Sequence, residues 1–367
     1  YHAAADPARC GRLHESRASR TRAAEQCEEQ VSGEVAQGSL ARVRVWIDAT
    51  RPQSRLEVFG MTLLERHLRG MLQQGLTLAE LRIEVAGEPI SLPPDLVSRL
   101  SIRFSCVGSP VRERLDSMLR DAAGDTVIAF AADTIIDARL FAHLATASAP
   151  LAVRSDTPDC GGPSAVLLLA APLDPQVQGD RVAALAASAV ERGAVKALDT
   201  TDIDGYMKRL RRTLAPYVFA VRDAAERDAA CRFLFWSNYK GSTDFFTRYV
   251  YPFFVWRALP PLARHGVPPN VVTLFNVVIT LAAVPLWASG WWVSGFLCAY
   301  GMSVLDSVDG KLARLTFRSS ELGHHLDHGL DLVHPPFWYF AWAFTLSGGD
   351  PGSLLFQSSI WMAVIYF

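Results

Sequence analysis

Asp306, Asp309, Asp327 and Asp331 stand in one stretch, LDSVDGKLARLTFRSSELGHHLDHGLDLVHPPFW, beside some of the most apolar sequence in the chain. Asp306 and Asp309 are spaced i,i+3 and Asp327 and Asp331 i,i+4, so each pair shares a helix face. Two facing helices would converge the carboxylates on one point, where unpaired anions repel and are costly to desolvate. One or two divalent cations remove both penalties, and hard oxygen donors suit Mg²⁺, Mn²⁺ or Ca²⁺. Gly310 and Ala313 lack bulk, so a ligand can approach the backbone beside the metals, and Arg314 is placed to hold a phosphate. Metals, a small-residue floor and an arginine point to phosphoryl chemistry. A lone Asp at a membrane edge is ordinarily a helix cap or a surface charge; this set, with Gly, Ala and Arg between its members, is read as a site.

The elements that must position these residues are membrane helices. Val271 to Trp292 carries no charge and has about the length needed to cross a hydrocarbon core of ~30 Å. A second apolar run ends at Asp306, a third extends from about Leu326 through PPFWYFAWAFTL, and a fourth reaches Phe367. Trp287, Trp291 and Trp292 cluster at one turn, as interfacial aromatics do. Buried helices of a large soluble core are the weaker alternative, given the uncharged length. Arg248, Arg257 and Arg264 precede the first span and Lys311, Arg314 and Arg318 follow the second. Two spans return the chain to its starting side, so by the positive-inside rule that face, with the aspartates, is cytoplasmic. Thr243 to Gly266 mixes aromatics with spaced arginines and is expected to form an interfacial amphipathic helix, broken near Pro260 and Pro261.

The residues Asp306, Asp309, Gly310, Ala313, Arg314, Gly323, Asp327 and Asp331 read D-x-x-D-G-x-x-A-R-x₈-G-x-x-x-D-x-x-x-D without a break. This resembles the signature of the CDP-alcohol phosphotransferases, and PPNVVT at Pro268 to Thr273 resembles that family's entry to its first span. The resemblance covers roughly residues 240–367. It implies a membrane enzyme, usually dimeric, that moves a substituted phosphate from a CDP-alcohol to an acceptor alcohol and releases CMP. It further implies that Asp306, Asp309, Asp327 and Asp331 hold Mg²⁺ or Mn²⁺ and that Asp331 is the general base. Gly310, Ala313 and Arg314 would contact the nucleotide, and Gly323 would allow close helix approach. The family has more spans than are present here, and a chain ending at Phe367 within an apolar run reads as C-terminally truncated. His324, His325, His328 and His334 are read as polar residues near a helix start rather than a zinc site. DHGLD resembles the DHGCD of choline and ethanolamine phosphotransferases, a slight pointer to substrate.

Before the membrane half lies a soluble α/β domain. VRVWIDA, LRIEVAG and DTVIAFAAD read as strands, and GMTLLERHLRGMLQQGL has apolar residues at helical spacing. Asp133 ends its strand where open α/β sheets bind ligands, with a metal role and a helix N-cap as competing readings. The order resembles the nucleotidyltransferases, and Leu198 to Leu210 resembles their closing helix. Their glycine-rich basic loop, which cradles a triphosphate on backbone N–H groups, is replaced by DATRPQSRLEVFG. A degenerate domain is therefore expected.

The expectation is an α/β nucleotidyltransferase-like (Rossmann-like) domain followed by an all-α polytopic membrane domain. Residues 1–40 are expected to be disordered, 41–215 form the α/β domain, 216–266 the linker and interfacial helix, and 267–367 the partial membrane domain. A net charge of -1 gives no basic field for nucleic acid. The six cysteines form no CxxC pair. The competing functional readings are a bifunctional enzyme that also makes its CDP-alcohol and a non-catalytic cation-binding membrane protein.

Overall fold

The computed structural model describes residues 43–88, 90–106, 108–155, 160–241, 244–319 and 321–366; the expectation for 1–40 lies outside them. Strands β1 (Val43–Ala49), β2 (Leu78–Val85), β3 (Ile102–Cys106), β4 (Val127–Ala131), β6 (Leu151–Arg154), β7 (Ala165–Leu169) and β8 (Lys196–Asp199) form a seven-stranded sheet ordered β8-β6-β7-β4-β1-β2-β3. All its pairings are parallel except those of β7 with β4 and β6. A short β5 (Thr134–Ile136) pairs antiparallel with β9 (Val218–Ala220). Helices α1 (Leu63–Gln73), α2 (Pro94–Arg99), α3 (Val111–Asp121), α4 (Ala138–Thr146) and α5 (Val182–Glu191) connect the strands. β1 is apolar on both faces because both are covered: Val45 and Ile47 pack with Leu64, Leu68 and Phe130, and Trp46 with Leu115 and Met118.

Leu198–Leu210 is not a helix. β8 ends at Asp199, a 3₁₀ turn covers Thr200–Asp202, and Tyr206–Met207 pairs with Arg212–Thr213. The Asp199 carboxylate accepts from the Thr201 backbone and hydroxyl and caps this 3₁₀ turn, which ends at Asp202 and gives way to extended backbone at Ile203.

Helix α6 (Ala224–Ser237) leads to a π-helical turn at Phe246–Val250 and then α7 (Tyr251–Arg264). α7 runs through Pro260 and Pro261 without the expected break. The prolines remove two donors, but Val255, Leu259 and Ala263 form a buried stripe that holds the helix in register. Phe245, Phe246, Tyr249, Phe253 and Phe254 are exposed. The remaining helices are α8 (Pro269–Ala288), α9 (Trp292–Leu315), α10 (Glu321–Leu346) and α11 (Leu354–Tyr366). Among the described residues only α8 is long and apolar enough to cross a membrane by length and composition. α9 and α10 both pack against α8. Gly295 of α9 lets the Trp287 indole lie against its backbone, where an added Cβ would come within 2.3 Å of Nε1. The Trp338 indole donates to the Thr280 carbonyl at 3.2 Å. Arg318, just past α9, donates to the Gly266 carbonyl at 3.0 Å, so α9 returns to the end at which α8 begins.

A third apolar core joins the α/β region to these helices: Val58, Leu63, Phe219, Leu234 and Phe235 pack with Val255, Leu259, Val272, Val308, Leu312 and Leu315. α1 is the pivot. The Thr62 hydroxyl accepts from the Glu65 N–H to cap it, and Glu65, Arg66 and His67 are all buried. Arg69 pairs with Glu65 at 2.7 Å, Arg66 donates to the Leu315 carbonyl at 2.8 Å, and His67 sits edge-on to Phe130 and Phe141.

Burial pushes the His67 imidazole down to about 3, with Arg66 adding and the Thr134 and Ala132 carbonyls opposing. The unfolded chain takes up the proton near ~6.5, whereas the folded one does so only near 3. Stability is therefore full above pH ~6.5 and falls by roughly 1.4 kcal/mol per unit as pH drops toward 3. His67→Gln is expected to flatten that acid limb by about one proton, read from thermal denaturation of the full chain between pH 3.5 and 7.

Candidate nucleotide and metal site

Asp306 and Asp309 lie one turn apart on the last turns of α9. Asp309 is 5% exposed and accepts a hydrogen bond from the Thr273 hydroxyl of α8 at 2.7 Å. That hydroxyl also lies 3.2 Å from the Pro269 carbonyl. Its single proton goes to the shorter contact, an acceptor-only carboxylate. No cation lies within ion-pair reach of Asp309 among the described residues. A buried carboxylate held by a neutral hydroxyl, with a second carboxylate one turn away, is a hard-oxygen donor set, and it fits a divalent cation.

Asp306, Gly310 and Arg314 line one cavity of about 470 Å³. An added Cβ on Gly310 would meet the Arg314 guanidinium at 3.2 Å, so the glycine leaves room for that side chain to fold back along the helix. Ala313 is half-buried on the same helix. Gly323 lies in the first turn of α10. The backbone of α10 carries Asp327 and Asp331, but their side chains, like those of His324 and His328, lie outside the described residues. The convergence of all the predicted carboxylates thus rests on the motif; among the described residues no three His, Cys, Asp or Glu side chains gather at a point. His334 is structural: its Nδ1 is 2.8 Å from the Leu330 carbonyl and its ring lies edge-on to Trp338.

Other lining groups went unrecognised in the sequence. Tyr239 and Lys240, just past α6, close one wall. Lys311 is 4% exposed and places its ammonium 3.3 Å from the Tyr239 ring centre. Among the described residues it has neither a hydrogen-bond acceptor nor a carboxylate within 4.0 Å. Cation–π contact is worth about 0.5–2 kcal/mol, less than the several kcal/mol needed to desolvate an ammonium. A lysine beside a positive-inside boundary reads as a topology signal, which hid this role; Thr273 reads only as part of PPNVVT, because its partner Asp309 is remote in sequence.

Asp133 occupies the turn between β4 and β5 and caps no helix; Asp137 is the N-cap of α4. Burial pushes the Asp133 carboxyl up and neighbouring Asp48 adds, while Arg51 and Arg181 oppose. The cavity before it measures only about 80 Å³ and is walled by Arg51, Arg181 and Arg222. Asp48 is already engaged by Thr50 and by Arg114, at 3.2 Å, which also pairs with Glu84 at 2.7 Å. The loop after β1 is folded on itself: the Ser54 hydroxyl is buried against the Arg51 and Ala49 carbonyls.

Residues 267–367 match the CDP-alcohol phosphatidyltransferase family, and the C-terminal part of the chain is a domain of that family. Over 72 residues, 20% of this chain and 37% of the relative, it is 40% identical to archaetidylinositol phosphate synthase of Aeropyrum pernix. Over 116 residues, 30% of this chain and 29% of the relative, it is 31% identical to cholinephosphotransferase 1 of Mus musculus. The chain therefore spans about a third of the length of the curated relatives it matches. The α/β region overlaps 4-diphosphocytidyl-2C-methyl-D-erythritol synthase over 53% of this chain and 99% of that one, with 14% identity and a TM-score of 0.36.

Thr273→Val removes a hydroxyl donor to the buried Asp309 carboxylate and is expected to cost about 1–3 kcal/mol of stability. Thr273→Ser should retain most of it. Thermal melts of both variants in detergent check the pair.

Proposed function

We propose that the protein is an integral membrane phosphotransferase of phospholipid synthesis, moving a substituted phosphate from a CDP-alcohol to an acceptor alcohol with release of CMP. The observation that carries the reading is the unbroken motif from Asp306 to Asp331, whose Asp306, Gly310 and Arg314 open onto one nucleotide-sized cavity. Asp306, Asp309, Asp327 and Asp331 would hold Mg²⁺ or Mn²⁺, which when bound neutralises the diphosphate and the departing CMP. Arg314 orients phosphate oxygens as a fixed fork. The acceptor oxygen bonds to the phosphorus bearing the donor alcohol, the bond to CMP breaks with its electron pair leaving on CMP, and the hydroxyl proton goes to Asp331. The relatives' names span an inositol-phosphate and a choline chemistry, and both acceptors belong in the assay.

The reading includes several passes through the bilayer, since exposed Val293, Phe296, Leu297, Leu332, Phe337, Leu354 and Ile365 on α9, α10 and α11 suit lipid. It places the site and the α/β domain on the cytoplasmic side, divides the chain at about 215 and 266, and takes the enzyme as a homodimer. A cavity of about 80 Å³ before Asp133 is far too small for a nucleoside triphosphate, which supports a degenerate α/β domain over a second, CDP-alcohol-forming activity. Pyrophosphate release from CTP and a phospho-alcohol would restore that alternative.

Asp309→Asn or Asp327→Asn is expected to abolish Mg²⁺-dependent CMP release while the protein stays in the membrane, because an amide is a neutral, weaker ligand. Near-normal CMP release by either variant at ordinary Mg²⁺ would refute the metal assignment. Mg²⁺ binding without CMP from any CDP-alcohol would leave a cation-binding protein instead.

Asp331→Asn is expected to lower the single-turnover rate by about 10²–10⁴-fold while CDP-alcohol affinity changes little. Loss of affinity with an unchanged rate at saturation would make Asp331 a metal ligand only.

A further inference from the structure

Lys311 belongs to none of the motif's fixed positions, yet it is the most buried cation on the cavity wall, at 4% exposure. Tyr239 covers one side of its ammonium at 3.3 Å and Phe235 stands at 5.8 Å. An ammonium has three donors and no acceptor. With an aromatic face behind it and neither a carboxylate nor an acceptor in reach among the described residues, those donors are left for whatever fills the cavity. Arg314 and Lys240 line the same space, with Asp306 and Asp244 as its described carboxylates. Asp244 is spent on the Thr247 N–H and hydroxyl. The cations on this wall lie on α9 and on the segment just past α6, so the cavity is composite.

We infer that Lys311, braced by Tyr239 and flanked by Lys240, grips the phosphates of the cytidine nucleotide, so that the segment linking the α/β region to the later helices forms one wall of the donor site. The inference rests on the phosphotransferase reading for the identity of the nucleotide. It gives the linking segment a task beyond joining two domains: it supplies the aromatic brace and a second cation.

The test uses the full chain in detergent with Mg²⁺ and measures affinity for CDP, CMP and cytidine, together with the melting midpoint without ligand. Lys311→Met is expected to weaken CDP binding by about 10–100-fold, the scale of a lost charge-assisted hydrogen bond. Cytidine affinity should not change, and the unliganded midpoint should hold or rise, because a buried lone charge has been removed. Tyr239→Leu should weaken CDP binding less and Tyr239→Phe scarcely at all; this pair carries the test if Lys311→Met fails to accumulate. Unchanged CDP affinity in Lys311→Met and Tyr239→Leu, an equal loss for cytidine, or no CDP binding by the parent protein overturns the inference. If the parent binds CDP in a Lys311-dependent way but releases no CMP from any CDP-alcohol, the inference stands and the phosphotransferase reading falls.

Discussion

The contact on which the rest of the structure depends is the hydrogen bond from the buried Arg66 guanidinium to the Leu315 carbonyl, at 2.8 Å. The last carbonyls of a helix have no intrahelical partner and gather partial negative charge. Here the helix is α9, which carries Asp306, Asp309, Gly310, Lys311 and Arg314. Its end is capped by a cation from the first helix of the α/β region, 249 residues earlier in sequence. Just beyond, Phe317 adopts a left-handed φ of 52°, a position that favours glycine. Strain there is on the order of 1–2 kcal/mol. The turn brings the Phe317 ring under Arg66, 4.9 Å from the guanidinium carbon, so strain and cation–π attraction meet at one residue.

The α/β region meets the later helices at a second point as well. Gly60, at φ 69°, stands where an added Cβ would come within 2.3 Å of the Ala263 carbonyl of α7. The loop that follows β1 is therefore shaped to meet α7. Its neighbours Val58 and Phe59 belong to the core that also holds Val255, Leu259 and Leu312.

What the sequence made legible followed local rules. The strand at Val127 is a continuous apolar run, those at Val43 and Leu81 are apolar runs interrupted by single charged residues, and the motif fixes its own helical spacing. The rest depended on contacts between distant segments. Glu65, Arg66 and His67 look like the solvated face of an amphipathic helix, and they are buried because a second structure lies over them. Prolines 260 and 261 signal a break, but a buried stripe on both sides of them outweighs two lost hydrogen bonds. Asp199 and Thr201 look like the opening of a helix and instead satisfy each other in a turn. Lys311 counted only toward topology, since nothing local showed that Tyr239 would lie against it.

Several of these features bear on how the candidate site is built. They are polar or conformationally special residues met by segments distant in sequence: Arg66 by Leu315, Gly60 by Ala263, Lys311 by Tyr239. A helix packed only against α8 could rotate or slide by small amounts without losing much apolar contact. Capped by Arg66 at its end and contacted by Tyr239 beside Gly310, α9 is held at two points along the turns that carry its carboxylates. Sites that work by orienting charge demand such fixed placement, because small misplacements of a donor or metal ligand are costly. The α/β region, through Arg66, and the segment after α6, through Tyr239, together set the position of α9.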